Sequence, residues 1–133
     1  MKKLIKYLYC NKGSNAVEFA IILPILFMLV LGIIQFGVAY NNYIALTHAA
    51  REGARLAAVG LHEEDPAAFE QAVIESAPSV DIQNIDVDYP EGNEIGDPVR
   101  ITVEGEIFFI DIPFAGRWGP IELRGQATMR KEK

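Results

Sequence analysis

The sequence is poor in cysteine, histidine and positive charge. Its one cysteine, Cys10, among 133 residues leaves no partner for an intramolecular disulfide and no cysteine-based zinc site. Two histidines, with no Gly-rich phosphate loop and no Ser-His-Asp arrangement near any motif, leave little material for catalysis, and no enzymatic role is expected. Lys and Arg total 12 against 18 Asp and Glu, a net −6. That balance argues against nucleic acid, which is bound by clustered cations that neutralise phosphate. There is no internal repeat and no low-complexity tract. What is present is an apolar half of the composition with 10% aromatics, too much for a disordered chain. The length suits one core and no second beside it.

The scarcest charge is between Phe19 and Tyr40, where FAIILPILFMLVLGIIQFGVAY holds none and only Gln35 is strongly polar. As a helix these 22 residues reach about 33 Å, and a bilayer's hydrocarbon core is about 30 Å thick. Residues 1–13 carry Lys2, Lys3, Lys6 and Lys12 and no acid, a formal +4. Residues 14–133 carry eight bases and all eighteen acids, a net −10. The positive-inside rule then places the N-terminus in the cytoplasm and the remainder outside. A secretory signal peptide would have a shorter apolar core and a small-residue cleavage site, neither of which occurs around FGVAYNNY. A lipoprotein anchor at Cys10 fails because Lys6 breaks the few apolar residues before it. Pro24 inside the span implies a modest kink. Gly32 and Gly37 do not make a GxxxG pair.

Glu18 stands at the edge of this run. A carboxylate deep in a bilayer costs about 2.5–3.5 kcal/mol on insertion scales, so it tends to have a partner or a task. At headgroup level it would also sit near the positive end of a helix, where an acid is favoured. A basic leader, Lys12-Gly13, the four residues Ser14 to Val17, Glu18-Phe19 and an apolar helix follow one another in order. At 45–58 comes ALTHAAREGARLAA, and the chain closes with RGQATMRKE.

This series resembles type IV prepilins, and more closely the TadE-like minor pseudopilins of the tight-adherence (Flp, type IVc) pilus. The likeness is good over about residues 12–60 and only in outline beyond. Phe19 in place of the tyrosine common after this glutamate, and the size of the C-terminal part, depart from the major pilin subunit. The resemblance implies cleavage between Gly13 and Ser14 by a membrane aspartyl prepilin peptidase. Glycine there leaves the backbone open to a protease cleft. It implies that Glu18 and Phe19 serve assembly, Glu18 meeting the new α-amino group of a neighbour, a group that ordinarily titrates at about 7.7–8.0. Other pilins and pseudopilins are the implied partners.

Beyond the span, Asn41 to about Ala58 continues as an amphipathic helix. Leu46, Ala49, Ala50, Gly53, Ala54 and Ala57 form a stripe that lets another element approach closely. Arg51 and Arg55 lie on the polar side, as a solvated face or a partner contact. Gly60 fits a helix stop. Asp65 is the expected N-cap of a second helix, with Pro66 at its first position, Phe69, Ala72, Val73 and Ala77 inward, and Pro78 beyond the end. Glu63 and Glu64 suit that helix's positive end, and capping explains the HEED run better than a metal does.

The period then changes to two. Ile85, Val87 and Tyr89, then Val99 to Phe109, then Ile121 to Met129 read as three half-buried antiparallel strands. Glu104 and Glu106 are expected to face Arg124 and Arg130 across the second and third. The acidic turn after Tyr89 misses the EF-hand template, where Pro90 would take the fifth position. Trp118, in the turn PFAGRWGP, packs at the sheet's end or meets a partner.

The expected fold is α+β and pilin-like: a long N-terminal helix, transmembrane in its first half and amphipathic in its second, a short second helix and a three-stranded antiparallel sheet. The expected segments are a leader, 1–13, a transmembrane helix, 14–40, and an extracytoplasmic domain, 41–133, with no cofactor and no metal. The expected function is that of a minor pseudopilin or assembly component of a tight-adherence pilus, in the bacterial cytoplasmic membrane. Whether it enters the fibre or primes it stays open. Two rivals are an unprocessed single-span protein whose outer domain binds a ligand or the cell wall, and an extracytoplasmic enzyme.

Overall fold

The computed structural model describes residues 11–107 and 120–132, with side chains from residue 13 onward. Lys2, Lys3, Lys6, Cys10, Phe109 and Trp118 with most of its turn lie outside the described residues, and Lys12 is described in its backbone alone. The elements are α1 (Asn11–Ala58), α2 (Leu61–Glu64), α3 (Pro66–Glu75), β1 (Asp81–Asp88), β2 (Pro98–Ile107) and β3 (Ile121–Arg130). This is the α+β arrangement expected, and the chain divides into two compact units, Met1–Phe36 and Gly37–Lys133.

In the first unit α1 runs through Pro24 without interruption. Its most apolar 18-residue stretch has no buried residue. A Cβ at Gly32 would meet nothing within 4 Å. Such a surface in water would forfeit the hydrophobic gain of burial along its whole length, so lipid is the medium it fits. Gln35, the polar exception, is 8% exposed.

In the second unit the remainder of α1 packs with α3 on one face of a sheet ordered β1-β2-β3, both pairs antiparallel. All six small or apolar positions of the α1 stripe, Leu46 through Ala57, are buried, as the periodicity predicts. They meet Phe69 and Val73 of α3 and Val99, Ile101 and Val103 of β2 in one core. β2 is central, so its inward residues alternate strictly with half-exposed ones.

Local signals place the helix ends. Gly60 adopts φ 88°, the left-handed turn that stops α1. One unexpected turn of helix, α2, then forms before α3. Asp65 caps α3 by accepting from the Ala68 amide at 3.1 Å, with Pro66 at the first helical position.

Four strand details differ from the sequence reading. β1 starts four residues earlier than Ile85, and Ile82 is half-buried on the core side. The pairing shifts between Ile82 and Asn84, which puts Gln83 in a bulge. An inserted residue breaks the alternation, so inward positions fall at 82, 85 and 87. On β3, Ile121 and Met129 are 43% and 38% exposed, and full burial falls only on Gly125. Finally, Glu104 does face Arg124, at 2.8 Å, but Glu106 lies opposite Glu122 and Arg130 opposite Pro98.

Candidate functional site

The residues of the expected processing and assembly site all lie on α1. Ser14 and Glu18 are four apart and share a helix face. Both are exposed, and Phe19 is 62% exposed. Gly13 has a helical backbone, and a Cβ there would meet nothing within 4 Å. Glycine inside a helix costs about 1 kcal/mol against alanine. Neither packing nor a left-handed conformation requires it at this position.

Arg51 and Arg55 lie on the outer face of α1, both exposed, with His48 one turn before Arg51. Arg55 donates to Glu52 through Nε at 3.1 Å and Nη2 at 2.5 Å. Those hydrogen bonds hold the Glu52 carboxyl below its ordinary range and raise the Arg55 guanidinium. At 57% and 36% side-chain exposure the pair adds little stability. Arg51 has no ion pair among the described residues.

A second cluster has no precursor in the sequence reading. Lys131 is only 6% exposed. Its ammonium donates to Glu63 Oε1 and Asn93 Oδ1, both at 2.7 Å, and to the Asn93 carbonyl at 3.3 Å. Asn93 Nδ2 donates to Glu63 Oε1, also at 2.7 Å, closing the ring. The backbone joins in: Gly96 N–H donates to Lys131 O and Lys131 N–H to Asp97 O, each at 2.8 Å. Glu132 N–H donates to Ala58 O at 2.8 Å, which ties the chain's last residues to the end of α1. A buried ammonium needs this many acceptors, because an unpaired one would lose its hydration without replacement.

The hydrogen bond from Lys131 holds the Glu63 carboxyl below its ordinary range, with Asn93 adding to the effect. Burial, then the Glu63 charge, pushes the Tyr89 phenol up. The Tyr89 hydroxyl is buried with no hydrogen-bond partner among the described residues. Glu63 thus serves the clamp instead of the start of α3. Its neighbour His62 packs edge-on against Phe69, with ring centroids 4.9 Å apart. Asp97 Oδ2 accepts from the Glu94 amide at 3.0 Å and so shapes the acidic turn. Among the described residues no three His, Cys, Asp or Glu side chains are placed to hold a metal.

An open groove of about 190 Å³ runs between α3 and β1, lined by Glu70, Ile74, Ile82, Gln83, Asn84 and Ile85. Glu70 is its one titratable group, so the groove offers no acid–base pair.

Residues 13–55 match the family model of TadE-like proteins. The match runs from the expected cleavage glycine through the apolar run to the Arg51–Arg55 block, and stops short of the sheet. No curated protein and no solved structure matches the chain significantly.

Proposed function

We propose that this chain, with its TadE-like segment at 13–55, is a minor pseudopilin or assembly component of a tight-adherence pilus. It acts by association within the membrane. The observation that carries this reading is the exposed apolar stretch of α1 with Glu18 at its N-terminal edge, inside the segment that matches the family. A prepilin peptidase cuts between Gly13 and Ser14, removing the lysine-rich leader and Cys10 together. The N-terminus lies in the cytoplasm and the second unit outside. Gly13 supports the reading because the fold gives it no duty of its own, whereas a protease cleft needs an unobstructed backbone.

Cleavage frees an α-amino group at Ser14. In lipid, Glu18 needs an opposite charge, and attraction between the two is far larger there than in water. The free amine of another pilin or pseudopilin supplies it. The test is co-expression with a prepilin peptidase and mass measurement of the membrane-extracted chain. The expected result is loss of residues 1–13, and Gly13→Leu is expected to block it. A chain that keeps Met1 in the presence of active peptidase overturns the proposal.

A further inference from the structure

The second unit has an uneven distribution of charge between its two faces. On the outer side of α1, Arg51 is an exposed cation with no ion pair among the described residues, next to the Arg55–Glu52 pair. On the opposite side, the solvent face of the sheet, Asp81, Glu106 and Glu122 lie directly across from one another on the three strands. Like charges placed opposite each other in a sheet repel. Among the described residues, Arg124 sits 4.0 Å from Glu122 and is already engaged with Glu104 at 2.8 Å. The helix and the acidic row lie on opposite sides of a two-layer unit, so one copy cannot bring them together.

We propose that the α1 face at Arg51 and Arg55 docks on the Asp81–Glu106–Glu122 row of a second copy of this chain, front to back. The inference rests on the pilus-assembly reading. The contact joins two different faces, so it is heterologous and can be repeated from copy to copy. Exposed ion pairs are weak. The contact therefore depends on the membrane span, which confines copies to one plane and raises their effective concentration.

The test uses the full chain with Cys10→Ser in vesicles of neutral phosphatidylcholine. One version carries His48→Cys beside Arg51, and the other carries Gln126→Cys on the sheet's solvent face. A short bismaleimide is expected to link 48 to 126 in preference to 48 to 48 or 126 to 126. Arg51→Glu with Arg55→Glu on the first version is expected to cut the mixed adduct about fivefold or more, as attraction becomes repulsion. Glu106→Arg with Glu122→Arg on the second version is expected to restore it. An adduct indifferent to the first swap, a swap not restored by the second, or dominant 48-to-48 linkage overturns the proposal. Prepilin-peptidase cleavage of the same preparations is read separately. Normal cleavage with an indifferent adduct refutes only this contact, whereas absent cleavage refutes the processing reading.

Discussion

At Gly125 the third strand lies so close to α1 that a Cβ would collide with the Leu46 carbonyl group and fall 2.6 Å from the Thr47 amide nitrogen. Backbone cannot step aside as a side chain can. Gly125→Ala is therefore expected to destabilise the second unit by about 2–3 kcal/mol, the upper part of the overpacking range. Gly53 offers the contrast. A Cβ there would meet Ile101 Cγ2 at 3.1 Å and Val73 Cγ2 at 3.2 Å, both side-chain methyl groups and not backbone. The helix gains about 1 kcal/mol from alanine, so Gly53→Ala is expected to fall within about 1 kcal/mol of the parent. Urea unfolding in micelles, followed by circular dichroism, separates the two. Glu63 makes a pH prediction. Its folded pKa lies below the ordinary 4.5, so its contribution is present above that value and is lost as pH falls through the lower, folded one. Hydrogen exchange at Gly96 and Lys131, whose amides close the clamp, is expected to accelerate only in acid. Glu63→Gln is expected to accelerate it at neutral pH as well.

The helix boundaries could be read in advance because each depends on neighbours in the chain. Asp65, Pro66 and Gly60 act within one turn of themselves. Asp65→Ala is expected to cost about 1 kcal/mol, as loss of an N-cap does, again by urea unfolding. The stripe of small residues on α1 was equally legible, since period and residue size show what face can be approached closely. The start of β1 was not. The bulge at Gln83 exists only in the pairing with β2, and a strand read alone gives no sign of its partner's count. The same holds for the charges facing Glu106. Register decides them, and a shift of two residues preserves the face while changing every partner.

Taken whole, the chain joins a span with no charge over 22 residues to a unit whose core is shared by one helix segment, α3 and the sheet. The protein is expected to stay with the membrane pellet through alkaline carbonate washing and to leave it only with detergent. Leu29, near the middle of the run and 57% exposed, tests this. Leu29→Arg adds about 2.5–3.5 kcal/mol to insertion, and the carbonate-resistant fraction is expected to fall sharply. The proposed processing site rests on an order of residue types alone, Gly13, Ser14, Glu18 and Phe19 following one another on one helix. The Lys131 clamp was not legible in the sequence, because Glu63, Asn93 and Lys131 are separated by 30 and 38 residues.

The order of residues alone determined the membrane-length helix, its continuation as an amphipathic segment, the capped second helix and the three strands. Each follows from composition or periodicity within a short window, where hydrophobic burial and backbone geometry act locally, the capped helix being α3 and not the unforeseen turn α2. Tertiary structure alone decided that Lys131 is buried, that β1 is bulged, that Gly125 presses on the α1 backbone, and that three carboxylates share one row of the sheet. Those facts depend on distances between segments remote in the chain, and such distances are set only when the whole core closes.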